Sequence, residues 1–178
     1  MLINPAWGLG LSVETLPLFW EAQQNCLEQV PNCAMVVITD ITVDTTDIHP
    51  VNKRDVGRRL ARCALARDYR RPDVVYSGPV YRSMSVAGAT ATLSFEHAAG
   101  GLRIGGGAAA LSEFTIAGQD GQFVPATAVF TGQASVAVSS CSVGEPAAVR
   151  FGWHETAVGN LTNGAGLPAS PFRTDGGA

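Results

Sequence analysis

The groups best suited to chemistry are concentrated in one short stretch: Asp40, Asp44, Asp47 and His49, followed by Pro50. An imidazole with a carboxylate on its second nitrogen can serve as general base for a serine hydroxyl. The same spacing also fits an Asx-type turn cluster carrying a surface histidine. A calcium loop is a poorer match, because the EF-hand order of ligands, its glycine and its terminal glutamate are missing. His97 and His154 stand alone with no metal-ligand spacing and read as turn or packing residues. A nucleophile for the base is harder to find. There is no G-x-S-x-G elbow and no Gly-Asp-Ser or Gly-Gln-Ser block. Ser12 lacks a preceding buried strand and Ser77 leads into a strand-rich region, so both read as structural.

The elements that must hold this stretch divide near residue 72. Before it, Glu14 to Val30 is predicted as a helix from the recurrence of Leu16, Phe19, Trp20, Gln23 and Leu27, with Pro17 tolerated in the first turn and Pro31-Asn32 as the stop. Ala34 to Thr39 is a short run rich in β-branched residues, the pattern of a strand buried on both faces of a parallel sheet. His49 then falls in the loop at the strand's carboxyl end, where ligands of open α/β sheets sit. From Lys53 to about Tyr69 a second helix is expected, with Val56, Leu60, Cys63, Ala64 and Leu65 as its apolar stripe and Arg54, Arg58, Arg59 and Arg62 as a solvated row. After Pro72, strands are predicted at Ala91 to Glu96, Ser112 to Ala117, Ala126 to Thr131, Ser135 to Ser139 and Ala147 to Trp153, an antiparallel β-sandwich pattern. The Gly105 to Gly107 run lacks the Lys-Ser/Thr and helix of a phosphate loop and reads as a hairpin connection. The tail from Asn160 to Ala178 is either a loop packed on the sandwich or a frayed end.

Composition narrows the function classes. Hydrophobic residues make up 46%, charged residues 15%, and the net charge is -3, which excludes a disordered polyelectrolyte and gives no general attraction to nucleic acid. Eight of the twelve cations cluster around the second helix, yet only Tyr69 lies nearby to stack on a base. Twenty glycines and ten prolines exceed the usual ~12% share and signal many turns. Cys26, Cys33, Cys63 and Cys141 form no CxxC pair, so neither zinc nor a disulfide framework is expected. No run approaches the roughly 18 apolar residues of a membrane span.

Several motifs in one order then point to a family. Glu14-Thr-Leu-Pro-Leu-Phe-Trp-Glu-Ala-Gln23, Pro31-Asn32, Asp47-Ile-His-Pro50, Asn52-Lys53 and Asp55-Val-Gly57 resemble the last part of the catalytic domain of sialate O-acetylesterases. The likeness continues through Tyr76-Ser-Gly-Pro79, Gly100-Gly101-Leu102, Phe114-Thr-Ile-Ala-Gly118, Val149-Arg-Phe-Gly-Trp153 and Leu167-Pro-Ala-Ser-Pro-Phe-Arg-Thr-Asp175. The resemblance implies an SGNH-type carbohydrate esterase with no cofactor and no metal. Its partner would be an O-acetylated sialic acid or related acetylated sugar, not nucleic acid or a membrane. By position in the Asp-Ile-His-Pro motif, His49 is similar to the family's catalytic base. Asp47 is the candidate to orient it; the superfamily pattern places the acid where this chain has Thr46, and Asp44 is the alternative. The family's Gly-Gln-Ser-type nucleophile block has no counterpart here. The resemblance is therefore to the C-terminal portion, and the isolated chain is expected to lack ordinary esterase activity.

The expected organisation is an α/β remnant over residues 1–73, a helix-strand-helix piece of an SGNH-type parallel sheet, followed by an antiparallel β-sandwich over 74–178. The first part should be the less stable, with open strand edges and exposed apolar surface. A non-catalytic reading stands beside the esterase: a carbohydrate-binding sandwich with Trp153 or Tyr81 as its stacking aromatic. The resemblance implies an extracytoplasmic setting (secreted, lysosomal or periplasmic), and Asn160-Leu161-Thr162 has the form of a glycosylation acceptor.

Overall fold

The computed structural model describes residues 12–41 and 51–176. Helix α1 spans Thr15–Gln29 and buries Leu16, Pro17 and Trp20. It stops where Asn32 takes a left-handed backbone, φ 58°, ahead of residues 33–38 and a 3-10 turn at Thr39–Ile41. Helix α2 spans Lys53–Arg67. Its start is fixed reciprocally: Asn52 Oδ1 accepts from the Asp55 backbone N–H at 3.1 Å, while Asn52 Nδ2 donates to Asp55 Oδ2 at 2.8 Å. That bond, with arginines nearby, holds the Asp55 carboxyl below the usual carboxylate range.

Ten strands follow: β1 Val80–Ala87, β2 Thr90–Glu96, β3 Leu102–Ile104, β4 Phe114–Ala117, β5 Val124–Pro125, β6 Thr127–Gly132, β7 Ser135–Ser139, β8 Ala148–Phe151, β9 Leu161–Asn163 and β10 Phe172–Arg173. They form two four-stranded antiparallel sheets, β1-β2-β7-β6 and β10-β8-β4-β5, with β3-β9 as a two-stranded ribbon. Side chains alternate across each strand. Thus Leu93 and Phe95 of β2 and Val136 and Val138 of β7 meet Phe114 and Ile116 of β4 and Val149 and Phe151 of β8 in one core. Each is worth about 1.5–3 kcal/mol of burial. The predicted sandwich is present, and the tail is part of it: Leu161, Leu167, Ala169 and Phe172 are all buried.

Three expectations need correction. Residues 34–38 belong to no sheet among the described residues. Their β-branched character suits a central strand, but a ladder needs neighbours, and here the carbonyls of Cys33 and Val37 accept instead from Arg67 and Arg59 of α2. On α2 the inward face is set by Arg59 and Cys63, four residues apart, both buried, while Leu60 and Leu65 are exposed. Arg59 therefore does not belong to a solvated row. Finally, Gly105 to Gly107 is no hairpin. It carries the chain from the β3-β9 ribbon to the other sheet, with Gly106 and Gly107 at φ 68° and 70°.

Helix α1 is seated on the sandwich by two arginines that are near neighbours on paired strands. Arg150 donates to Glu14 at 2.6 Å and to both Asp175 oxygens at 2.7 and 3.1 Å, and lies over the Phe123 ring at 4.0 Å. Arg173 makes a two-pronged pair with Glu21 at 2.8 and 2.9 Å and lies 5.3 Å from the Trp153 ring centre. Burial by itself would push the Asp175 carboxyl up, yet the Arg150 hydrogen bonds and charge hold it below its ordinary value. A carboxyl depressed in the fold stabilises fully above its unfolded pKa, ~3.9, and that stabilisation is lost as the pH falls through the lower folded value. Limited proteolysis should therefore release the tail beyond Phe172 faster at pH 3 than at pH 6, and Asp175→Asn should remove that difference.

Candidate functional site

His49, Asp47 and the alternative Asp44 lie outside the described residues. The structure does define the residues that flank the segment carrying them. Asp40, the first acid of the cluster, sits in the 3-10 turn that precedes this segment, and α2 follows it. Arg59 on α2, 9% exposed, locks the two sides together. Its guanidinium reaches Asp40 Oδ1 at 2.7 Å and Oδ2 at 2.6 Å, and also donates to the Val37 carbonyl at 2.5 Å. A planar fork matched to a carboxylate fixes orientation as well as distance. Asp40 is thereby held by Arg59 and is not a free acid.

The other singled-out residues have structural partners. Ser77 Oγ donates to the Gly78 carbonyl at 2.9 Å, and Ser12 Oγ lies 3.3 Å from Thr15 Oγ1. His154 Nε2 is 2.7 Å from Glu113 Oε2 and Nδ1 is 3.1 Å from Thr156 Oγ1, tying the turn after β8 to the start of β4. His97 ends β2 in a left-handed conformation, φ 55°, with its ring edge-on to Tyr76. Cys26, Cys33, Cys63 and Cys141 are free thiols, and burial pushes the Cys63 thiol up.

Neither proposed sugar-stacking aromatic is available in the way the sequence suggests. The Tyr81 ring lies flat on Phe172, centroids 4.8 Å apart and planes at 8°, and Trp153 is 7% exposed. Asn160, the glycosylation candidate, spends its amide on the fold: Nδ2 donates to the Ala110 carbonyl at 2.8 Å and Oδ1 accepts from the Ser112 N–H at 2.9 Å.

Sequence reasoning missed Asn163, 1% exposed. Its Nδ2 donates to the carbonyls of Ser77 and His97, each at 2.9 Å, and its Oδ1 accepts from the N–H groups of Ala165 and Leu167, each at 3.1 Å. The partners lie 86, 66, two and four residues away. Only the local pair could have been guessed from the following Gly164-Ala165-Gly166 turn.

No protein-family model and no curated protein matches the chain. Among solved structures, one overlays on 87% of the chain with a TM-score of 0.80 and 46% sequence identity. That neighbour is a carbohydrate acetylesterase from Xanthomonas citri. The present chain spans about a third of it, covering 35% of its length. The likeness to the Xanthomonas acetylesterase embraces both the helical segment and the sandwich, since an 87% overlay cannot be supplied by residues 74–178 alone. The chain is thus similar in sequence and structure to part of a carbohydrate acetylesterase, which agrees with the carbohydrate-esterase side of the resemblance carried by its motifs.

Proposed function

We propose that this chain is part of a carbohydrate O-acetylesterase and supplies the catalytic base of its active site. The observation that carries the reading is the 46% identity to a carbohydrate acetylesterase over 87% of the chain. The Arg59–Asp40 pair supports it, because a base must be held within hydrogen-bond reach of its hydroxyl and the elements on either side of the segment carrying His49 are fixed to one another. In this reading residues 1–73 are the end of an SGNH-type esterase unit and residues 74–178 its β-sandwich companion. The substrate is an O-acetylated sialic acid or related acetylated sugar.

The chemistry is acyl transfer. His49 takes the proton of a serine hydroxyl contributed from outside residues 1–178, and the serine oxygen attacks the acetyl carbonyl. Asp47 holds the imidazole by its other nitrogen, with Asp44 as the alternative. Backbone N–H and Asn donors stabilise the tetrahedral oxyanion. The protonated His49 gives its proton to the departing sugar oxygen as the bond from the acetyl carbon to that oxygen breaks, and water activated by the same imidazole then releases acetate. Members of such a unit act together, so a base without its nucleophile retains almost none of the unit's catalysis.

Purified residues 1–178 should hydrolyse 4-nitrophenyl acetate and an acetylated sugar no faster than the His49→Ala variant does. The same chain joined to an esterase segment bearing a Gly-Gln-Ser block should turn over both. Hydrolysis by residues 1–178 alone that disappears in His49→Ala would sink the proposed division of the active site.

A further inference from the structure

We propose that the outward face of α2 is an interface with a second copy of this chain, packed antiparallel across a two-fold axis. Arg59 and Cys63 are buried and set the inward side of the helix. On the opposite side, at three- and four-residue steps, stand Lys53, Gly57, Leu60, Ala61, Ala64 and Asp68. All are exposed except the half-buried Ala64, and Leu60 keeps 51% of its surface in water. Leu65, 39% exposed, and Tyr69 extend the apolar surface along one flank. Gly57 is unexplained by the single chain. A glycine inside a helix is costly, yet nothing lies within 4 Å of the place its Cβ would take.

Charge selects the occupant. Of the six cations on α2, four are engaged within the fold: Arg58 with Asp55 at 3.5 Å, Arg59 with Asp40 at 2.6 Å, and Arg62 and Arg67 with the carbonyls of Val75 and Cys33. Lys53 and Arg54 at the start of the helix, and Asp68 at its end, make no ion pair among the described residues. Beyond Asp68 the backbone turns left-handed at Arg70, φ 53°, and leaves the helix line, and Arg71 is paired with Asp73 at 2.9 Å. A wholly acidic partner would suit Lys53 and Arg54 but meet repulsion at Asp68. A face that is positive at one end and negative at the other is complementary to itself turned end for end, and the helix dipoles then oppose favourably as well. The spacing gives the register. An axis between Leu60 and Ala61 brings Lys53 of one protomer to Asp68 of its partner, Gly57 to Ala64, and Leu60 to Ala61. Lys53 and Asp68 stand about 22 Å apart along the helix, so both charge pairs form together only in this register. With Gly57 against Ala64 the helices can approach to about 8 Å, the close end of helix packing. A single helix pair buries less than the ~1,200 Å² of a standard interface, so the association is weak.

Sedimentation equilibrium of residues 1–178 between about 10 µM and 1 mM tests this. A monomer–dimer equilibrium with a Kd of about 100 µM is expected in about 50 mM salt, several-fold weaker in about 300 mM. Lys53→Glu and Asp68→Lys should each weaken it at least about tenfold. Both place a charge that suits its end of the helix dipole, so unfolding does not account for the loss. Mixing the two variants should restore the parent's affinity, because the mixed dimer again sets opposite charges at both contacts. Gly57→Leu, which has room in the single chain, should abolish association. A parent chain that stays monomeric at about 1 mM, or a mixture no more associated than either variant alone, would overturn the proposal. The chain joined to an esterase segment should associate as the parent does; a monomer there would make that segment the occupant of the face and equally overturn it. No ester is hydrolysed in any of these readouts, so the esterase reading stands or falls separately.

Discussion

In an esterase completed with its nucleophile segment, His49→Ala should lower acetyl-ester turnover by about 10⁴- to 10⁶-fold, with KM little changed. In the proposed mechanism the imidazole acts twice, taking the serine proton during acylation and activating water during deacylation, so its loss should strike both halves of the cycle. The orienting acid acts through it and should cost less. Asp47→Asn offers the imidazole the wrong partner, for which a loss of about 10²- to 10⁴-fold is expected. Asp44→Asn run beside it separates the alternatives: the variant with the larger fall in kcat and a displaced acidic limb of the pH profile marks the orienting residue. A His49→Ala enzyme within tenfold of the parent would remove the base from position 49.

The second large effect concerns stability. Asn163→Ala should destabilise the fold by about 3–5 kcal/mol, because one truncation leaves two carbonyls and two N–H groups without their partner in a nearly solvent-free site. Asn163→Asp is the discriminating control. A carboxylate still accepts from Ala165 and Leu167 but cannot donate to Ser77 and His97, so it should lose comparable stability at neutral pH and regain part of it in acid, where the protonated form can donate one bond. Urea unfolding at two pH values measures both. A loss below about 1 kcal/mol for Asn163→Ala would mean that water replaces the amide without cost.

Much of the framework was legible in the residue pattern. Helix α1 could be read because its apolar spacing runs unbroken from Leu16 to Leu27 and stops at Pro31-Asn32, where the backbone turns left-handed. Strands β2 and β7 could be read because one face is buried and the other only partly so, so Leu93, Phe95, Val136 and Val138 alternate with small residues. Strand β1 hides, since Arg82, Ser83 and Ser85 are exposed on an edge strand with little apolar signal. Strands β3, β9 and β10, two or three residues each, are too short to carry a period.

The site divides in the same way. His49 is picked out by its neighbours in sequence, whereas the contacts that fix the flanking elements are not. Arg59 reads as one cation in a row of four, and only the fold reveals that it turns inward to Asp40, nineteen residues away. The run at 34–38 failed for the opposite reason. Its residues are right for a central strand, but strand formation is a property of pairs, and no strand ladder includes it among the described residues. Tyr81 and Trp153 failed because an aromatic that could face a ligand could equally well complete a core.

The paired arginines on β8 and β10 grip acids at positions 14 and 21, seven residues or about 10.5 Å along the helix axis. Two fixed points on a rod set its roll and its tilt together, which a single point cannot do. The β-sheet face thus works as a keyed socket. An unrelated amphipathic helix carrying Glu, six arbitrary residues and Glu should dock in the same pose, which offers a route to interchangeable helical heads on one sandwich body.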